Sequence, residues 1–217
     1  MKLSEHTLSV LKNFAGINSG LVIQKGKVQK TIHPEQTILV EAHIEDDIPE
    51  KFGIYDLNQF LGNITTLNNP DLTFTPSSVI MNDGLIELNY YSCSTNLIIS
   101  PPEGKDLIMK NADVSFSMPS SSLQKLLKIA SMNSLPNISV IGENGGLHFR
   151  THELKNDTSN YASLRIGDYD GDKFSVSFKT ENLRLIPDDY DVQIKLGGFS
   201  FWINKSGTLK YFVAMEK

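Results

Sequence analysis

The side chains best placed to do chemistry in this sequence are lysines. Ser122–Met132 reads S-L-Q-K-L-L-K-I-A-S-M. At about 100° per residue, Leu123, Leu126, Leu127 and Ala130 gather on one side of a helix, and Gln124, Lys125, Lys128 and Ser131 on the other. Ser4–Ala15 predicts a second helix of the same kind, with Leu8, Leu11, Phe14 and Ala15 opposed to Ser9, Lys12 and Asn13. The chain is acidic overall, with 20 Lys and Arg against 25 Asp and Glu and a formal charge of −5. Cations gathered on helices can meet an anion that the whole molecule repels. The plainer reading is a solvated polar face, the usual fate of lysines on amphipathic helices. The acidic clusters Glu45-Asp46-Asp47, Asp168/Asp170/Asp172 and Asp188-Asp189/Asp191 all fall outside these helices.

Other constellations point away from catalysis. His148 and His152 stand four apart and would share one face of a strand, giving two metal ligands. A third is not identifiable, and the Glu that follows the first His in metalloprotease helices is missing. Asp168-Tyr169-Asp170-Gly171-Asp172 resembles a calcium loop, but its glycine comes at position four and Lys179 stands where the loop needs Glu. A turn between strands suits it better. Neither a phosphate-binding Gly-Lys-Ser/Thr loop nor a serine nucleophile elbow occurs. Cys93 is the lone cysteine, so an internal disulfide is impossible. These observations favour a binding protein without metal or cofactor over an enzyme.

The elements that must carry the lysines are mostly strands. A chain of 217 residues fits one large domain or two of about 100 residues. Leu21–Gln24 and Val28–Thr31 flank Lys25-Gly26-Lys27, which predicts a short hairpin. Thr37–Ile44 places Ile38, Val40, Ala42 and Ile44 on one strand face. Val79–Met81 and Leu85–Tyr90 flank Asn82-Asp83-Gly84, a strong hairpin signal. Tyr55–Thr66 predicts a helix whose polar side, Asn58, Gln59, Gly62 and Thr65, carries no charge. Asn96–Ile99 reads as a strand, and Ser100–Asp106 as a linker near the midpoint, dividing the chain into domains 1–106 and 107–217. After it come strands at Val114–Met118, Ile138–Ile141, Leu147–Thr151, Ala162–Ile166, Phe174–Phe178, Tyr190–Leu196, Phe199–Ile203 and Leu209–Ala214. A helical turn over Thr180–Ile186 is ended by Pro187. Each half thus holds two helices and several antiparallel strands, the pattern of an internal duplication. An α+β architecture with helices on one face of antiparallel sheets follows. No apolar run approaches the ~20 residues of a membrane span, and the first residues lack a signal peptide's apolar core, so the expected location is the cytosol.

Four segments carry a family resemblance. They are Leu11-Lys12-Asn13-Phe14-Ala15 with Ile17-Asn18-Ser19-Gly20; Ile54-Tyr55-Asp56-Leu57-Asn58-Gln59-Phe60-Leu61-Gly62; Gly167-Asp168-Tyr169-Asp170-Gly171; and Tyr211-Phe212-Val213-Ala214-Met215-Glu216. Together, and in this order, they closely resemble the sliding clamps (DNA polymerase processivity factors) of T-even-type bacteriophages. The resemblance implies two similar clamp domains per chain and a head-to-tail homotrimeric ring, with helices lining a central hole and sheets outside. Lys12, Lys125, Lys128 and Arg184 match helix positions facing the hole, and Lys2 and Lys179 lie beside them. Such a ring holds duplex DNA through non-specific phosphate contacts rather than base readout. The resemblance further implies a pocket for partner peptides involving Leu107, Ile108, Val213 and Met215. The implied partners are the phage DNA polymerase, an ATP-driven clamp loader and late-transcription factors, in the cytoplasm of an infected bacterium. Two other readings stay open: a ring-forming β-rich viral structural or assembly protein that binds no DNA, and an enzyme with an unrecognised site.

Overall fold

The computed structural model describes residues 1–102, 108–156 and 158–216. It divides into two units, Met1–Leu107 and Ile108–Lys217.

In the first unit, helix α1 (Glu5–Ala15) begins where Ser4 Oγ accepts the Thr7 N–H at 3.1 Å, an N-cap that satisfies a donor the helix cannot. Its buried face is Thr7, Val10, Leu11 and Phe14. That face is rotated from the expected one, leaving Leu8 and Ala15 half-exposed. Thr7 tolerates burial because its hydroxyl accepts from Ser4 Oγ at 3.1 Å. Strands β1 (Leu21–Ile23), β2 (Gly26–Ile32), β3 (Ile38–Ile48) and β4 (Phe52–Ile54) follow. The hairpin expected between Leu21–Gln24 and Val28–Thr31 does not form. β1 pairs with β4, and β2 with β3. The buried Gln29 side chain makes the reversal instead. It accepts the Gln24 N–H at 2.7 Å and donates to the Gln24 carbonyl at 2.8 Å, while Gly26 takes a φ of +92° that suits glycine. β3 buries Ile38, Val40, Ala42 and Ile44 as its alternation predicts, then runs on through the acidic residues to Ile48.

Helix α2 (Leu57–Thr66) starts after Asp56, whose Oδ1 accepts the Gln59 N–H at 3.0 Å. It buries Leu57, Phe60, Leu61 and Ile64 and packs against α1. β5 (Asp71–Phe74), absent from the sequence reading, joins β6 (Ser78–Asn82) and β7 (Glu87–Tyr91) in a sheet of order β5-β6-β7. The Asn82-Asp83-Gly84 turn closes as expected. Asp83 Oδ1 accepts the Leu85 and Ile86 N–H groups at 2.8 Å, and Gly84 has a φ of +95°. Thr95–Leu97 is a 3-10 turn rather than a strand, closed by the Leu97 N–H on the Ser94 carbonyl at 3.0 Å.

The second unit opens with β8 (Val114–Met118) and α3 (Ser120–Met132), which buries Leu123, Leu126 and Ala130 against β10 and β11. β9 (Asn137–Glu143), β10 (Gly146–His152), β11 (Ala162–Asp168) and β12 (Phe174–Lys179) form an antiparallel sheet of order β11-β10-β9-β12. The predicted helix at Thr180–Ile186 is only a 3-10 turn, Thr180–Leu183. Four residues before a proline are too few for a stable α-helix. β13 (Tyr190–Ile194), β14 (Phe199–Asn204) and β15 (Leu209–Ala214) complete a second antiparallel array in which β13 lies between β8 and β14, and β14 pairs with β15. Trp202, Tyr190 and Tyr211 are its largest fully buried side chains.

The acidic clusters turn out to be partly structural. Asp46 Oδ2 accepts the Ser4 N–H at 2.7 Å in the first unit, and Asp189 Oδ1 accepts the Ser120 N–H at 2.8 Å in the second. Each carboxylate thus sits at the positive end of a helix. Burial alone would raise the pKa of Asp46. Hydrogen bonds from the Ser4 N–H and from the Thr7 and Ser4 hydroxyls, with the Lys27 charge, outweigh it and hold the carboxyl below its ordinary value of 3.8. The folded state therefore gains stability from the carboxylate at neutral pH and loses it as the pH falls through the lowered value. Asp46→Ala is expected to cost about 1 kcal/mol at pH 7. The gap between variant and parent should close below about pH 4, as urea melts across a pH series would read.

Candidate nucleic-acid interface

In the first unit the outward side of α1 carries Ser9 and Lys12, with Lys2 exposed just before the helix. The outward side of α2 carries Asn58, Gln59, Gly62 and Thr65, all exposed and uncharged. The Thr65 hydroxyl is already spent on the Leu61 carbonyl at 3.0 Å, so it has less to offer a ligand than its exposure suggests. Lys2 and Lys12 have no ion-pair partner among the described residues. This surface offers long flexible ammonium groups beside neutral amides. It can attract phosphates and has no fixed fork to read a base edge.

In the second unit Gln124, Lys125, Lys128 and Ser131 are exposed along α3, on the predicted side. Lys125 and Lys128 likewise have no ion-pair partner among the described residues. Two apolar residues share that exposed surface, Ile129 and Met132, the latter 76 % exposed. The helical pattern had not singled them out. Leu127, expected in the core, is half-exposed and lines a recess of about 460 Å³. The same recess brings together Lys179 and Arg184, two predicted residues from different ends of the 3-10 turn, with Asn137, Thr180 and Glu181. Lys179 lies 3.7 Å from the Glu181 carboxylate, an exposed contact of little energetic weight. The backbone two residues after Arg184 is anchored from the core. Tyr190 donates to the Ile186 carbonyl at 2.6 Å, and Tyr211 accepts the Ile186 N–H at 3.2 Å. Burial pushes both phenols far above their ordinary range, so both keep their protons. Tyr190→Phe would orphan the Ile186 carbonyl and is expected to cost about 1–2 kcal/mol. Amide exchange near residue 186 should rise with it.

The residues assigned to a partner-peptide pocket separate. Met215 lines a cavity of about 570 Å³ with Leu154, Val176, Gly197 and Gly198. Val213 is 0 % exposed. The alternation along β15 turns it inward with Leu209 and Tyr211, so a docked peptide could not reach it. Ile108 is 63 % exposed and does not line this cavity. Leu107 lies outside the described residues. The first unit has a cavity of about 620 Å³ under Val22, Val28 and Pro101-Pro102, where Lys30 is already paired with the buried Glu41 at 2.7 Å.

His148, Arg150 and His152 share one face of β10, as the four-residue spacing predicts. His152 Nε2 lies 2.6 Å from the Ser139 hydroxyl, and Arg150 stacks over Tyr161 at 5.2 Å. Desolvation, helped by the Arg150 charge, lowers the His152 pKa. Among the described residues no three His, Cys, Asp or Glu side chains are grouped to hold a metal, and no helix is long and apolar enough to cross a membrane.

Relatives give this arrangement its context. The chain is 31 % identical over 221 residues to the sliding clamp of Vibrio phage KVP40, covering 100 % of this chain and 99 % of the relative. The chain belongs to the sliding clamp family. The family model for the DNA polymerase processivity factor matches residues 2–73. The sliding clamp of Escherichia phage RB69 is 29 % identical, with 100 % of this chain and 97 % of the relative covered. Among solved structures, the proliferating cellular nuclear antigen of Entamoeba histolytica superposes with a TM-score of 0.67 at 12 % identity, covering 100 % of this chain and 98 % of that one. That likeness establishes the clamp fold, α+β with antiparallel sheets. As a sliding clamp, the chain is a processivity factor for DNA polymerase and not an enzyme.

Proposed function

We propose that this chain closes into a homotrimeric ring around duplex DNA and tethers the replicative polymerase of its phage to the template. What carries the reading is the set of exposed lysines without ion-pair partners among the described residues, Lys12 on α1 and Lys125 and Lys128 on α3, in a chain of net charge −5. Phosphate contacts of this kind hold without fixing register, which sliding requires. Lys2, Lys179 and Arg184 add to the same field. The cavity beside Met215 is the seat for a short hydrophobic partner peptide.

Ring closure needs complementary edges. In the sheet β5-β6-β7, the β5 edge is met by the Met1 backbone, with the Leu72 N–H donating to the Met1 carbonyl at 2.7 Å. Among the described residues that leaves β7 open. In the sheet β11-β10-β9-β12, the β12 edge receives the Glu216 N–H on the Ser177 carbonyl at 2.7 Å, which leaves β11 open among the described residues. β7 carries Glu87, and β11 carries Arg165, which is paired at 2.7 Å with Asp168 of the same strand and would exchange that partner for Glu87 on closure. Pairing β7 of one copy with β11 of the next would remove both liabilities. Placement on DNA by an ATP-driven loader, a link to late transcription and residence in the host cytoplasm rest on the resemblance alone.

Light scattering across a dilution series tests the ring. The expected result is a mass of three chains that falls on dilution. Arg165→Glu should shift that dissociation to higher protein concentration, and a second change, Glu87→Arg, should partly restore it. A monomer at every concentration, or a stable trimer that never protects duplex DNA, would overturn the reading. The second of these outcomes would favour a structural ring.

A further inference from the structure

The recess beside α3 and the cavity beside Met215 share one residue, Glu216. Its backbone N–H is fixed to Ser177 of β12 at 2.7 Å. Its carboxylate accepts a hydrogen bond from Asn137 Nδ2. Asn137 is only 6 % exposed, and its other side-chain atom, Oδ1, accepts the Leu154 N–H at 3.1 Å. The amide is thus locked by its surroundings with its donor aimed into the recess, where Lys179 and Arg184 stand on the rim. A buried amide donor beside Lys179 and Arg184 can hold an oxyanion, and the Glu181 carboxylate in the same recess, 3.7 Å from Lys179, is an exposed and weakly bound competitor for that cation. In this structure the oxyanion is the protein's own.

We propose that Asn137, Lys179 and Arg184 form a phosphate site, that Glu216 is its internal occupant, and that an arriving phosphate displaces it. The consequence reaches the second cavity. Met215 and Glu216 are held over β12 by the Asn137 contact and the Ser177 hydrogen bond. A phosphate that takes Asn137 removes the first of these and loosens the wall that Met215 provides. The Glu216 carboxylate is therefore a latch between an anion on the helix side and the shape of the Met215 cavity. That the phosphate belongs to DNA rests on the reading proposed above. The site itself does not.

Inorganic phosphate is the probe that separates the two. In the full chain, the Asn137 side-chain NH2 resonances are followed by NMR as phosphate is added. Glu216→Gln is expected to bind phosphate at about tenfold lower concentration than the parent, because a like charge has left the site. Lys179→Glu should abolish the response in both backgrounds. In the parent, phosphate should also speed exchange of the Glu216 amide. Equal phosphate affinity with and without the Glu216 carboxylate overturns the proposal, as does a response that spares Asn137. The same titration with a short duplex then assigns the source. A duplex that fails to perturb Asn137 where phosphate succeeds counts against the DNA reading and leaves the latch standing.

Discussion

A chain carrying Lys125→Glu together with Lys128→Glu is expected to lose processive DNA synthesis while keeping its fold and its self-association. Both lysines are exposed on the outward side of α3, and neither has an ion-pair partner among the described residues. Their reversal therefore removes no structural contact, and the helix should melt with the parent. In the proposed ring the electrostatic effect is multiplied. Two positions in each of three copies replace about six phosphate contacts with six repulsions. Each such contact contributes about 0.9 to the slope of log affinity against log salt, so the slope should flatten by about 5. Between 50 and 200 mM salt, that many contacts correspond to on the order of 10³-fold in affinity. The readouts are product length in a primer-extension assay with polymerase present and duplex affinity at several salt concentrations. Unchanged product length would remove α3 from the DNA surface, whatever the oligomer. The uncharged face of α2 gives an internal contrast. Asn58→Ala or Gln59→Ala should leave the salt slope where it is.

The features visible in the sequence are those with short sequence range. α2 and α3 follow from apolar residues three and four apart. Asn82-Asp83-Gly84 closes its hairpin because Asp83 reaches N–H groups two and three residues on. The features that escape are held by distant partners. Asp46 and Asp189 belong to acidic clusters outside the helices in sequence, yet each accepts an N–H at the start of a helix, from a residue 42 or 69 positions away. The Lys25-Gly26-Lys27 turn looks like a hairpin loop, but Gln29 supplies the hydrogen bonds and β1 finds β4 instead. The turn at Thr180 lacks an amphipathic stripe, so nothing local announced that it would gather Lys179 and Arg184 into one recess. Val213 shows the opposite failure. Its inward place is legible from alternation with Leu209 and Tyr211, and its pocket role was implied by the family resemblance alone.

Trp202→Ala is expected to have the largest effect on stability. The indole is fully buried and meets Phe116, Phe149 and Tyr190 at centroid distances of 6.2–6.5 Å, each in an edge-on arrangement. Its Nε1–H donates to the Ser200 hydroxyl at 2.8 Å, and that hydroxyl in turn lies 3.3 Å from the Val213 carbonyl. Truncation removes the transfer energy of the ring and leaves a cavity between β8, β10 and β13 that these side chains cannot fill, about 3–5 kcal/mol in all. For a chain of this size that corresponds to a fall in Tm of about 10 °C. The damage should also have a direction. Tyr190 loses the face it packs on, and its hydroxyl is what anchors Ile186 and, through it, Arg184. Ser200 loses its donor beside Val213, two residues before Met215. Phosphate affinity at the Arg184 recess and the shape of the Met215 cavity should therefore deteriorate well below the melting temperature, ahead of any change on α1. Trp202→Phe keeps the aromatic packing and loses the N–H. It should recover most of the stability while still loosening the Ser200–Val213 contact. A Tm within about 2 °C of the parent for Trp202→Ala would mean that β13–β15 collapse onto the void, and the indole could then no longer be what holds Arg184 in place.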